Sequence, residues 1–106
     1  LPGRRVFVMG DMGELGPDEA AMHREIGEFA RARGLETLFA LGTASRHAVE
    51  AFGTAGRSFD DVDRLVSALQ PLCGRDLTIL VKGSRFMRME RVVAALLGEA
   101  PDGGHA

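Results

Sequence analysis

Unbroken apolar runs alternate along this chain with stretches whose apolar positions recur every three or four residues. Val6-Phe7-Val8-Met9 ends at Gly10, Thr37 to Leu41 ends at Gly42, and Leu77 to Val81 ends at Lys82-Gly83. Such runs predict strands covered on both faces, because a strand with one wet face alternates apolar with polar. Arg57-Ser58-Phe59 is a shorter and weaker fourth candidate. Between the runs lie helical periods. Met22, Ile26, Phe29 and Ala30 share one stripe, introduced by Gly16-Pro17-Asp18-Glu19, which puts proline in a first-turn position and two acids at the positive helix end. Thr43 is the expected cap of a short helix through Ala44, Ala48, Ala51 and Phe52. Val62, Leu65, Val66, Leu69 and Leu72 make the clearest stripe, with Asp60 as expected N-cap and Pro71 marking its end. Met89, Val92, Val93, Leu96 and Leu97 make the last, stopped by Gly98.

Four repeats of strand then helix imply crossover connections, a parallel sheet and a layered α/β domain. Every strand-to-helix turn then falls on one edge of the sheet, where open α/β domains bind ligands. Gly10-Asp11, Gly42-Thr43, Phe59-Asp60 and Lys82-Gly83-Ser84 converge there. Three of these turns read as tight, whereas the first runs from Gly10 to Gly16 as "GDMGELG", with two acids and three glycines. A loop of that length in a compact domain is often functional. Its glycines do not form G-x-G-x-x-G, so the dinucleotide fingerprint is absent. The plainer reading is that the glycines turn the chain and that Asp11 and Glu14 are solvated.

"VKGSR", Val81 to Arg85, holds the only lysine among 13 basic side chains. The order Lys-Gly-Ser is not that of a phosphate-binding Walker loop. Even so, Gly83 lets backbone N–H groups approach a ligand, Ser84 offers a hydroxyl, and the positive end of the following helix points at the same place. Lys82, Arg85 and Arg88 add positive charge, and the pattern fits a carboxylate or phosphate site. A lone lysine among arginines suits a compact point charge where a guanidinium fork does not fit. The alternative is a lysine snorkelling off a strand end beside a solvated arginine face. His23 lies at the flank of the first apolar stripe and reads as a boundary histidine with a satisfied hydrogen bond. His47 has the same status, and His105 lies in the tail. No spacing of Cys, His and carboxylates suggests a metal site, and no Ser, His, Asp order suggests a hydrolase.

Composition narrows the partners. A length of 106 residues fits one domain, and a net charge of -2 gives no broad field toward polyanions or membranes. Six phenylalanines without Trp or Tyr offer little surface for stacking bases, so no nucleic-acid partner is expected. No apolar run approaches the ~20 residues of a membrane span, and no signal sequence opens the chain, so the protein reads as cytoplasmic, with no membrane partner, and as a monomer. Cys73 stands alone and is expected to be a buried structural thiol. The chain opens on Leu1-Pro2-Gly3 without Met and closes on a loose polar stretch. It reads as a fragment of something longer, with one domain over 1–99 and a tail over 100–106.

Taken together, "VMGDMGELG", "HREIG" from His23, "LFALG" from Leu38 and "ILVKGSRFMRMERVV" from Ile79 resemble the C-terminal domain of the Mur ligases, over Arg4 to Leu97. Within that family the last motif is most similar to members that add D-alanyl-D-alanine to UDP-N-acetylmuramoyl-tripeptide; sister members that add one amino acid are the alternative. The resemblance implies a three-layer, Rossmann-like α/β domain with a mainly parallel sheet of about four strands and helices on both faces. It also implies the last part of an ATP-dependent ligase of peptidoglycan synthesis whose nucleotide and Mg2+ are held mainly by a central domain absent here. The fragment is expected to lack the family's leading strand and helix, to expose a sheet edge, and to be inactive alone, with no catalytic residue and no cofactor of its own. Carried over by position, Asp11, Met12, Glu14 and Leu15 match the first motif, His23 the helix after it, and Lys82, Gly83, Ser84 and Arg85 the last. By that resemblance Lys82 and Arg85 pair with the dipeptide carboxylate or a phosphate oxygen. Ser84 and the Gly83 amide add hydrogen bonds, and Asp11 or Glu14 orients the attacking ammonium. A phosphoacceptor signalling domain is a further alternative, with Asp11, Thr43 and Lys82 in its pattern. It needs a second early acid and an acidic acceptor for which Asp60 is the only candidate.

Overall fold

The computed structural model describes residues 4–12, 16–73, 77–83 and 87–98. Among them four strands, β1 (Arg4–Gly10), β2 (Thr37–Leu41), β3 (Gly56–Phe59) and β4 (Leu77–Lys82), alternate with four α-helices, α1 (Glu19–Ala32), α2 (Arg46–Phe52), α3 (Val62–Leu69) and α4 (Glu90–Leu97). The strands are parallel and lie in the order β3-β2-β1-β4. The chain therefore starts in the middle of the sheet, steps outward twice, and returns past β1 to lay down β4. With crossovers of one hand, that reversal sends the helices to opposite faces. Ala30, Ala48 and Phe52 of α1 and α2 pack on Phe7, Met9, Leu38 and Ala40. Leu65, Leu69 and Val92 of α3 and α4 pack on Val6, Val8, Phe39 and Leu41. This is the layered α/β arrangement implied by the sequence. No helix among the described residues is long and apolar enough to cross a membrane.

The central strands are buried on both faces as expected, but β4 is not. It borders the sheet, with Leu77, Ile79 and Val81 against the α3/α4 core and Thr78, Leu80 and Lys82 exposed on the other side. The cause lies in α1, whose buried residues are His23, Gly27 and Ala30, while Met22 and Phe29 are 44% and 63% exposed. A Cβ added at Gly27 would lie 2.1 Å from the carbonyl oxygen of Ala48, so α1 meets α2 backbone to backbone. The small residues take this close contact. The larger ones, Met22, Ile26 and Phe29, are left beside Phe7, Leu35 and Leu80 along a groove between α1 and β4.

The helix ends differ from expectation in detail. Asp61, not Asp60, caps α3, its Oδ1 accepting from the Arg64 N–H at 2.8 Å with extended backbone at the cap. Asp60 instead pairs with Arg46 at 3.0 Å. α3 stops at Leu69 and a 3-10 turn, Gln70–Leu72, accommodates Pro71. Cys73 follows that turn and is exposed rather than buried, because the helix has ended before it. The last strand-to-helix connection is not tight, since β4 ends at Lys82 and α4 begins only at Glu90.

Gly27 gives the sharpest test of this packing. In a solvated helix Gly→Ala stabilises by about 1 kcal/mol, but here Gly27→Ala must push α1 from α2 and is expected to cost about 1–3 kcal/mol. Urea unfolding of the variant measures it, and an unchanged or raised midpoint contradicts the contact.

Candidate functional site

Strand register brings the turns together. Gly10 lies opposite Leu41, Leu41 opposite Phe59, and Met9 opposite Lys82. The strands therefore end nearly level, and Asp11, Gly42, Asp60 and Gly83 leave the sheet side by side, as the sequence implied. The reversal of strand order falls between β1 and β4, where Gly10 and Gly83 meet.

Asp11 follows Gly10 and is partly buried. Its Oδ1 accepts from the Ser45 N–H at 2.8 Å and its Oδ2 from the Ala44 N–H at 3.3 Å. These are backbone donors at the start of α2, where Thr43 was expected to cap. Thr43 gives only its carbonyl, to the Arg46 N–H, and Ser45 makes no side-chain cap. The Ser45 hydroxyl reaches back to the carbonyls of Leu41 and Gly42 at 3.0 and 3.3 Å. Gly42 has a φ of 114°, and a Cβ there would fall 2.6 Å from Asp11 Oδ1. A glycine is thus required twice over at residue 42, for its dihedral and for the room it leaves the carboxylate.

Met12 is held from the other side. Its N–H donates to His23 Nε2 at 3.1 Å, and His23 Nδ1 lies 2.8 Å from the carbonyl oxygen of Glu19. Since Nε2 must carry the acceptor lone pair, the ring proton sits on Nδ1 and donates to Glu19. His23 is fully buried rather than at a boundary, and both its ring nitrogens are satisfied. Among the sequence-derived site residues, Glu14, Leu15, Ser84 and Arg85 lie outside the described residues.

At the end of β4, Lys82 is exposed and borders the apolar groove with Met22, Glu25 and Ile26. An exposed lysine at the rim of an apolar groove is the setting in which a stem can cover apolar surface while the ammonium stays hydrated. Gly83 is in close contact with two neighbours. A Cβ there would lie 2.7 Å from Met89 Cγ and 3.3 Å from Gly10 N, and a Cβ at Gly10 would meet Met89 Sδ at 2.6 Å. Met89 is thus seated on both glycines and fixes the height at which the Lys82-Gly83 turn leaves the sheet. Arg91 holds the same connection, donating from Nη2 to the Met87 carbonyl at 2.7 Å and from Nε to that of Arg88 at 3.0 Å. Arg88 itself adopts a φ of 49°. Beside these turns, Asp60, Asp61 and Asp63 line a cleft with Gly42 and Arg91, which makes that end of the edge acidic.

The sequence drew attention to Asp11 and to the Gly42 turn but not to their relation, in which the Ala44 and Ser45 amides hold the carboxylate in the room that Gly42 leaves. A glycine ending the second strand and a serine three residues on are common, and only the pairing across the sheet gives them meaning. Met89 was read only as the first residue of the last apolar stripe; the glycines at the ends of two strands were the available signal that something large had to sit between them.

Comparison with known proteins adds a family to this geometry. Residues 1–85 match the family model described as Mur ligase, glutamate ligase domain. A UDP-N-acetylmuramoyl-tripeptide–D-alanyl-D-alanine ligase from Escherichia coli K12 is 43% identical over 98 residues, covering 91% of this chain and 22% of that protein. The enzyme of the same name from Synechocystis is 36% identical over 104 residues, covering 94% of the chain and 23% of that protein. A crystal structure of MurF from Acinetobacter baumannii superposes with a TM-score of 0.77 at 30% identity, covering 93% of this chain and 23% of that one. The chain thus spans less than a quarter of the length of the relatives it matches.

His23 offers a direct test of the clamp. His23→Leu leaves the Met12 N–H without its partner and is expected to destabilise by about 1–3 kcal/mol. His23→Gln, whose amide oxygen can reach toward the Nε2 position, is expected to recover part of the loss. Equal unfolding midpoints for His23→Leu and the parent contradict the assigned hydrogen bond.

Proposed function

The chain belongs to the Mur ligase family, in its glutamate ligase domain, and from that premise we propose that it is the C-terminal domain of an ATP-dependent ligase joining D-alanyl-D-alanine to UDP-N-acetylmuramoyl-tripeptide. The observation that carries the reading is the 43% identity, over 91% of the chain, to a ligase of that name. The sheet edge is compatible with it, since an exposed lysine and a glycine turn at the end of β4 lie next to the exit of β1 that leads to Asp11, and a zwitterionic dipeptide has one end to offer each sign of charge.

ATP supplies the phosphoryl group that activates the tripeptide carboxylate for attack by the dipeptide amine. Among the described residues no group of three or more His, Cys, Asp or Glu side chains is placed to hold a metal ion. By its likeness to the ligase family, magnesium and the phosphate-binding machinery are assigned in this proposal to parts of the ligase outside this chain, with the isolated domain inactive. What this domain contributes is placement. Lys82 acts as a point charge for the dipeptide carboxylate or a phosphate oxygen, with Arg85 as a second charge of the same motif and the Gly83 amide and Ser84 hydroxyl as donors. Glu14 is the carboxylate offered to the attacking ammonium. Docking of this edge over the reacting groups excludes water from the activated carboxylate and aligns the amine, which is the physical need that a closing domain meets. In this reading the ligase works as a cytoplasmic monomer, without nucleic-acid or membrane partners.

Phosphate release by the full-length parent enzyme tests the assignment, with ATP, magnesium and the UDP-linked tripeptide present and D-alanyl-D-alanine compared with single amino acids. Release is expected with the dipeptide; release with a single amino acid instead selects a sister ligase. Lys82→Ala is expected to raise the dipeptide KM about tenfold, the size of one lost charge-assisted contact. Unchanged KM and kcat remove Lys82 from the site.

A further inference from the structure

We infer that Asp11 is a positioning residue of the ligase reaction rather than a ligand contact: its carboxylate fixes the start of the "GDMGELG" turn to the turn before α2. The inference rests on the ligase reading above and deepens it.

Four observations carry it. The carboxylate accepts from two consecutive backbone N–H groups, of Ala44 and Ser45, at 3.3 and 2.8 Å. These donors get no cap from their own segment, because the Ser45 hydroxyl faces back to Leu41 and Gly42. Gly42 leaves a slot for the acid, since a Cβ there would come within 2.6 Å of Oδ1. Finally, the next residue is held independently, with the Met12 N–H on His23 Nε2 at 3.1 Å. Consecutive residues of one loop are thus fixed to two different helices, α1 and the start of α2, just where the chain leaves the sheet toward Glu14.

The chemistry separates this role from an ammonium contact. The Ser45 N–H at 2.8 Å is the shorter of the two ties, and Asn keeps an oxygen for it while giving up the longer one to Ala44 at 3.3 Å, so Asn retains the main part of the anchor. A dipeptide ammonium needs the negative charge, which Asn lacks. Losing the anchor leaves Asp11 and Met12, at the exit of β1, in place only part of the time, which weakens the apparent affinity for a ligand received beyond them.

The experiment uses the full-length ligase and three variants, Asp11→Asn, Asp11→Ala and Gly42→Ala. Asp11→Asn is expected to hold the D-alanyl-D-alanine KM within about threefold of the parent, while Asp11→Ala and Gly42→Ala raise it about tenfold with the ATP KM unchanged. Amide hydrogen exchange on the same proteins reads the anchor without any acceptor: the Ser45 amide stays protected in the parent and in Asp11→Asn, and exchanges faster in Asp11→Ala. The inference is overturned if Asp11→Asn, still folded by thermal unfolding, loses the dipeptide as severely as Asp11→Ala, which assigns the charge to the ammonium. It is also overturned if Gly42→Ala keeps the parent KM and Ser45 protection. Should Asp11→Ala fail to fold, Asp11→Asn and Gly42→Ala still decide. A parent enzyme with no dipeptide-dependent phosphate release defeats the ligase reading alone, and Ser45 exchange then reports on the anchor by itself.

Discussion

The ladder that pairs Met9 with Lys82 on one side of β1 and Gly10 with Leu41 on the other sets what the rest of the molecule can do, because it brings three strand ends to nearly one height. Parallel strands cannot be joined by hairpins, so each must be followed by a crossover helix. All the strand-to-helix turns are consequently gathered on one edge. Residues separated by more than thirty positions, such as Asp11 and Ser45, become hydrogen-bonded neighbours. The gathering follows from backbone hydrogen bonding, and the side chains refine it.

On that edge the two motifs are held in different ways. The first turn is tied by polar contacts, an acid on backbone donors and a neutral imidazole between two backbone groups. Such contacts are directional and fix orientation as well as distance. The last turn is held mainly by packing, a thioether on two glycines, with Arg91 closing the carbonyls behind it. Lys82 belongs to neither set of ties and keeps the freedom of a long, solvated side chain.

Much of this arrangement was readable in the sequence, for stated reasons. Strands β1 and β2 are buried on both faces and so show as unbroken apolar runs, and the stripe of α3 is regular enough to place its buried face. The run in β4 looks the same as the others, because Leu80 is apolar yet 49% exposed, and nothing local says which strand lies at a border. The stripe expected for α1 holds at Ile26 and Ala30, which pack on the core, but not at Met22 and Phe29, because the close crossing with α2 selects Gly27 for its size and hydrophobicity alone does not show it. Asp60 and Asp61 are chemically equal candidates for a cap, and only the extended backbone at Asp61 distinguishes them. The acid that serves α2 lies on another segment altogether, out of reach of any rule about neighbouring residues.

The seating of Met89 on Gly10 and Gly83 also bears on how this sequence can drift. A methyl group added at either glycine meets the same thioether, at 2.6 Å from one side and 2.7 Å from the other. Neither glycine therefore varies independently of residue 89, although the three belong to different segments. The three are one packing unit, so a side chain at position 10 or 83 obliges the Met89 thioether to move or to be shortened.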